Sequence, residues 1–253
     1  MRAERRWAAN ARGRPTPTTA ERRSPADAPA CRKPRNTRNR SPATRLAAVT
    51  VTDLSLRERK KLRTRRELVE AAIALFGEHG FDAVTIEHLT DSVEVSTRTF
   101  FRIFASKEDV VLAPEQRLWS VFGELIAEAR LDGPLIGVLE RLLLASIEAM
   151  EPEWAGQFLA CRRIADRTPA LTARELRFCA DTTAEIALIL GGRAGLDPTD
   201  LRLRLALELM LAVWHTANQD WAVKEPADAT WLAVLVRDGF AALPGALDLS
   251  VGS

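Results

Sequence analysis

The chain has 253 residues, 47% hydrophobic and 28% charged, which is ample material for the core of one large domain or two modest ones. No apolar run approaches the ~20 residues of a bilayer-spanning helix, which argues against an integral membrane protein. The formal net charge of +2 hides two opposed parts: residues 1–52 carry 13 Lys+Arg against 3 acids, and residues 53–253 carry 23 against 31.

Residues 1–52 hold 6 of the 13 prolines, clustered arginines and no periodic apolar pattern, so they read as disordered. Two readings of this arm stand side by side. It adds non-specific attraction to phosphates, or it precedes a translation start near Val49 or Val51. MRAERRWAANARGRP offers positive charge without the apolar stretch of a signal peptide. Cys31, Cys161 and Cys179 are odd in number and lack CxxC spacing, so a reducing cytoplasm is expected rather than a disulfide-stapled secreted fold.

From residue 53 onward, apolar residues recur at three-to-four spacing between Pro and Gly punctuation, and no strand-like alternation is present. The fold class expected is all-α. Helices are predicted at 55–79, 85–92, 96–103, 106–112, 114–130, 134–150, 153–166, 169–190, 198–221 and 227–242. Pro114, Pro134, Pro152, Pro169, Pro198 and Pro226 fall near helix starts, where a missing N–H costs nothing.

The first helix places Leu62, Val69, Ala72, Ile73 and Phe76 on one stripe and stops at Gly80, with Phe81 packing back on its end. Thr85 opens a short helix carrying Ile86, Leu89 and Val93. After a break at Glu94-Val95, Ser96 caps another short helix, and Ser106 caps a fourth with Glu108 and Asp109 in its first turn. Two short helices across a tight turn, behind a supporting helix, describe a helix-turn-helix. In its second helix Phe100 and Phe104 can face inward. Thr97, Arg98 and Arg102 then lie outward with Thr99 at the edge, side chains suited to base edges and phosphates.

The stretch from RTRRELVEAAIALFGEHGFDAVTI to VSTRTFFRIFASKEDVV resembles the DNA-binding domain of the TetR family of bacterial regulators over about 55 residues. The resemblance implies a three-helix DNA-binding domain at 53–112, with its helix-turn-helix at 86–105. It further implies a homodimer on a palindromic operator, with half-sites about 34–36 Å apart. Carried over by position, Thr85, Ser96, Thr97, Arg98, Thr99, Arg102 and Lys107 form the implied DNA-binding set. Thr85 and Lys107 resemble the backbone-phosphate contacts. Glu94 stands where the family usually has Gly, at a cost of roughly 1–2 kcal/mol if it is left-handed. Ile103 replaces a Tyr or His that commonly reaches a phosphate. Residues 53–112 carry 10 basic and 11 acidic residues, so binding would rest on local placement of Arg57, Arg59, Lys60, Lys61, Arg63, Arg65 and Arg66.

Residues 113–253 carry 13 basic and 20 acidic residues, which argues against a second nucleic-acid surface. The family resemblance implies a helical effector-binding and dimerisation domain here, and its pattern resembles mycofactocin-type regulators within the family. The helix at 198–221 is apolar on nearly every side from Leu203 to Trp214 and is expected to be buried on both faces. With the helix at 227–242 it fits the four-helix dimer bundle implied by the resemblance. Trp119, Phe122, Trp154, Phe158, Arg162 and Phe178 are the candidate ligand-binding residues for an unknown small-molecule effector, with Leu139, Leu143 and Cys161 also plausible; Arg162 and Arg163 suit an anion such as an acyl-CoA.

No catalytic set is expected. His79, His88 and His215 have no metal-ligand spacing, and HExxH and GxSxG are absent. GGRAG at 191–195 reads as a loop between helices, and no cofactor is implied. The reading is a ligand-released repressor in the cytoplasm, with no membrane partner. The alternative is a helical small-molecule-binding or scaffolding protein with a vestigial helix-turn-helix.

Overall fold

The computed structural model describes residues 55–223 and 228–251. The basic arm, Cys31 and Pro226 lie outside the described residues. Among those described there are ten helices and no strand: α1 (Leu56–His79), α2 (Ile86–Ser92), α3 (Thr97–Phe101), α4 (Lys107–Val111), α5 (Ala113–Glu128), α6 (Leu135–Glu148), α7 (Trp154–Asp166), α8 (Pro169–Ala194), α9 (Leu201–Ala222) and α10 (Ala229–Leu247).

The N-terminal core gathers Leu68, Val69, Ala72 and Phe76 of α1 with Phe81, Val84, Leu89, Phe100, Phe104 and Val110. Leu62 is not part of it. Residues 55–63 are exposed on every side and Leu62 is 52% exposed, because α1 reaches two turns past its packing partners. This core does not close at residue 112: Cys161 and Ala165 of α7 and Leu171 of α8 pack into it. Helices α4 and α5 are joined through Leu112 alone. Pro114 breaks the continuity there, since it offers no N–H to the turn before it.

The larger core is built by α5 to α10 around an aromatic cluster. Trp214 lies edge-on to Trp119 (5.6 Å) and to Phe158 (5.9 Å), and Trp154 stacks on Trp221 at 6.3 Å. Such ring pairs add to the burial of large apolar area. Where α9 crosses α10, a Cβ at Gly239 would come within 2.8 Å of Val213 Cγ1, so only glycine permits this approach.

Three expectations are corrected. First, GGRAG is not a loop: residues 191–194 are the last turn of α8, and Gly195 ends it in a left-handed conformation (φ +67). The N–H of Leu196 then bonds the Gly191 carbonyl at 2.9 Å, which closes the helix end. Second, α10 continues past residue 242 to Leu247, with Pro244 inside it. Leu243 packs on the core, and a proline this late removes a single ladder bond. Third, α9 is buried on one face within the chain. Leu203, Ala206, Leu207, Met210, Val213 and Trp214 face inward, while Leu201 and Leu205 are 64% and 53% exposed. The apolar sequence overstated the burial because a single chain supplies neighbours on one side only.

Candidate functional site

Each helix of the N-terminal unit begins with a side chain that satisfies its free N–H groups. Ser55 and Glu58 form a reciprocal capping box on α1. Thr85 accepts from the His88 N–H, and its own N–H donates to His88 Nδ1 at 3.3 Å. Ser96 accepts from the Thr99 N–H at 3.2 Å, and Ser106 from the Asp109 N–H at 3.4 Å. These caps fix where the short helices start, and with them which side chains point out.

On α3 and in the turn that follows it, which is shorter than the helix expected to residue 103, the inward and outward residues separate cleanly. Phe100 and Phe104 are 0% and 3% exposed, with ring centroids 5.8 Å apart. Arg98 and Arg102 stand exposed on the opposite side, Thr97 and Thr99 lie half-buried beside them, and Ser96 holds the helix entrance with its hydroxyl 3.1 Å from that of Thr99. The turn before α3 places Glu94 at φ +53, the only non-glycine residue with positive φ among those described. The left-handed position is therefore real, and a carboxylate side chain occupies it.

Sequence reasoning missed Phe101. It is 56% exposed on the same short helix, set edge-on against Phe100. The signal was present: an aromatic next to an inward one on a helix must point elsewhere.

The basic run before the core divides. Arg57, Arg59, Lys60 and Lys61 are exposed. Arg63 pairs with Glu67 at 2.8 Å and Arg66 with Glu153 at 3.5 Å. Arg65 is turned inward. Its guanidinium lies 4.4 Å over the Phe104 ring, Nη2 donates to Gln116, and burial lowers its pKa. It braces α1 against α3 and α5 rather than reaching outward.

Lys107 also has internal work. Its ammonium donates to the carbonyls of Phe81 (2.9 Å) and Val84 (3.2 Å) and sits over the Phe81 ring. It thereby ties the loop before α2 to the start of α4. Two residues later Asp109 is buried, and its Oδ1 accepts from Nε and Nη2 of Arg174 on α8 at 3.0 and 2.6 Å. This ion pair links the N-terminal helices directly to α8.

The six candidate ligand residues do not share one site. Phe122 and Trp154 are core, at 0% and 3% exposure, and the Trp154 indole N–H is bonded to the Pro114 carbonyl at 2.8 Å. Phe158 and Arg162, with Cys161, line a cavity of about 20 Å³ under α5, room for about one water. Trp119 and Phe178 line a larger cleft of about 470 Å³ between α5 and α8. Arg162 does not present a free charge, because Glu175 and Asp166 both hold it. Leu139 and Leu143 are core at 0% exposure.

The small cavity also meets a group the sequence did not flag. Glu115 is buried, with indole N–H donors from Trp119 (3.4 Å) and Trp214 (3.5 Å). Burial, with the Glu175 charge second, raises its pKa. A glutamate in a first helical turn reads from sequence as a dipole partner at the surface, so nothing local marked it. Burial also pushes the Cys161 and Cys179 thiols up to about 12, which makes both poor nucleophiles, and lowers His215.

Helix α10 is long and apolar enough by length and composition to cross a membrane, but Arg237 and Asp238 interrupt it, and Leu232, Val236 and Phe240 pack into the bundle.

Residues 68–113 match the model of the bacterial regulatory proteins of the tetR family, and residues 134–248 match the MftR C-terminal domain. The HTH-type transcriptional regulator TcmR of Streptomyces glaucescens is 33% identical over 189 residues, covering 71% of this chain and 82% of TcmR. The HTH-type transcriptional repressor AcnR of Corynebacterium diphtheriae is 31% identical over 83 residues, 33% of this chain and 40% of AcnR. A solved TerR/AcrR-family regulator from Aquifex aeolicus is 16% identical with a TM-score of 0.48, covering 71% of this chain and 99% of its own.

Proposed function

The chain belongs to the TetR family and is a DNA-binding transcriptional regulator, and on that premise we propose that it is a homodimeric repressor released from a palindromic operator by a small molecule. The observation that carries the DNA-reading part is the sorting along α3 and the turn after it: Phe100 and Phe104 locked inward, Arg98 and Arg102 outward. Arg98 and Arg102 reach base edges or phosphates, Thr97 and Thr99 contact the groove edge, and Ser96 and Thr85 hold phosphates near the helix starts. Phe101 offers an apolar surface to a thymine methyl. Lys107 supports the phosphate face chiefly by fixing the 81–84 loop, and any phosphate contact it makes uses the remaining hydrogen of its ammonium.

The dimer reading rests on α9 and α10. Helix α10 is apolar almost all round, yet only Leu232, Val236 and Phe240 are buried, while Trp231, Ala233, Val234 and Leu235 are half-exposed. A helix of that composition calls for cover on its other faces, and a second copy supplies it. The exposed Leu201 and Leu205 of α9 extend the same demand.

Release uses the cleft between α5 and α8. Helix α5 is joined to the C-terminal end of α4 through Leu112, and α8 grips the middle of α4 through Arg174–Asp109, so spreading the cleft acts on α4 at two points. The spacing of the two α3 helices then leaves the 34–36 Å match to successive half-sites. The setting is the cytoplasm, where operator DNA lies.

Footprinting on the upstream DNA of its own gene, with a salt series, tests the reading. Arg98→Ala is expected to weaken protection about 10- to 100-fold, from a loss of about 1–3 kcal/mol. Protection by this variant equal to that of the parent protein would overturn the assignment of α3.

A further inference from the structure

The cleft between α5 and α8 has a chemical signature that the sequence did not show. Its floor is apolar and aromatic, from Trp119, Phe178, Ile186 and Ile189. Among its described lining residues the ionisable ones are Glu124 and Glu185, both exposed at the rim, and none is basic. Neither helix carries a lysine, and each arginine on them has a partner in the chain, although the Arg117 and Arg177 pairs are solvent-exposed and none of the four arginines lines the cleft. Arg117 pairs with Glu151, Arg174 with Asp109, Arg177 with Asp181, and Arg193 donates to the Ile126 carbonyl. Glu185 has no ion pair among the described residues, and Glu124 accepts from the Ser120 hydroxyl. The Cβ direction of Gly123 is open, with no atom within 4 Å.

We propose that this cleft binds a lipophilic cation, an aromatic or aliphatic body bearing delocalised positive charge, and not the anionic acyl thioester that Arg162 suggested from sequence. The inference rests on the reading of the cleft as the effector site and specifies the ligand class. The apolar floor takes the body of the ligand, and its volume of about 470 Å³ falls within the range of small-molecule sites. The two aromatic side chains in the lining favour a cation over an anion wherever a ring face meets the ligand. The two carboxylates set the sign of the field at the rim, and an incoming anion meets them with no basic residue in the cleft lining. Arg162 does not line this cleft, and Glu175 and Asp166 hold it beside the small cavity.

The test uses the full chain with two ions of nearly one shape, tetraphenylphosphonium and tetraphenylborate, titrated by calorimetry at low salt. Tetraphenylphosphonium is expected to bind at least tenfold more tightly. Glu124→Gln with Glu185→Gln should abolish that preference, and added salt should shrink it. Gly123→Phe, which fills the cleft, should remove binding of the cation. Equal or tighter binding of the borate overturns the proposal, as does a preference that survives in the double Gln variant or cation binding that survives Gly123→Phe. Operator release is measured separately. Binding with the expected preference but without release sustains the ligand class and refutes the effector reading. Release by an anionic compound that Gly123→Phe blocks, with no binding of the phosphonium, does the reverse.

Discussion

The DNA-reading unit and the C-terminal bundle reach helical structure by different means. All four helices of the former start at a side-chain cap: Ser55, Thr85, Ser96 and Ser106. In the bundle, α5, α6, α7 and α8 begin without a side-chain cap bond, and only α9 and α10 have one, from Asp200 and Asp228. Short helices cannot draw enough stability from their own length, so local chemistry must define α2, α3 and α4. Long helices tolerate bare starts because they bury an apolar stripe. The reading head is therefore specified locally and the bundle by packing at a distance.

The sharpest way to break this contrast is to remove bulk from the bundle. Phe122→Ala leaves a void beside Trp119 and is expected to cost about 3–5 kcal/mol. The urea midpoint should fall accordingly, and a loss under 1 kcal/mol would show that packing does not carry this region. Ser96→Ala strikes the other side. It should cost about 1 kcal/mol by exposing the start of α3, and lower operator affinity more than it lowers the melting temperature. If affinity and melting temperature fall in proportion, the cap serves general stability only.

Glu94→Gly relieves the positive φ and should stabilise the protein by roughly 1 kcal/mol, read from the same urea midpoints. A neutral or negative change would mean that Glu94 makes a compensating contact. The smallest effect is a slope. Burial raises the Glu115 pKa, so the folded chain keeps this proton above the ordinary value of 4.5 at which the unfolded chain releases it. The stability it contributes is complete below pH 4.5 and declines as pH rises toward and through the raised folded value. Glu115→Gln should flatten that decline above pH 4.5. Parallel curves for the two proteins would show that Glu115 does not titrate within this range.

Legibility followed the same divide. The caps, the inward Phe100 and Phe104 and the outward Arg98 and Arg102 could all be read from neighbours within a few positions, while the left-handed turn at Glu94 was legible only through the glycine that the resembled family usually has there. Phe101 was readable on the same logic and was passed over. In the bundle, the helices and the aromatic candidates were visible, but not which aromatics line space. Phe122 and Trp154 became core and Trp119 and Phe178 became cleft, and that division depends on helices far apart in sequence.

The sequence by itself determined an all-helical chain, the ends of the helices to within a few residues, the helix-turn-helix and its family. These follow from periodicity and capping, which act over one or two turns. Tertiary structure alone decided which charges remain available. It turned Arg65 inward onto Phe104, committed Arg162 to Glu175 and Asp166, buried Glu115 between two indoles, and joined Asp109 to Arg174 across 65 residues. A side chain's charge is written in the sequence, but whether it faces solvent, ligand or a partner depends on what the rest of the chain packs against it.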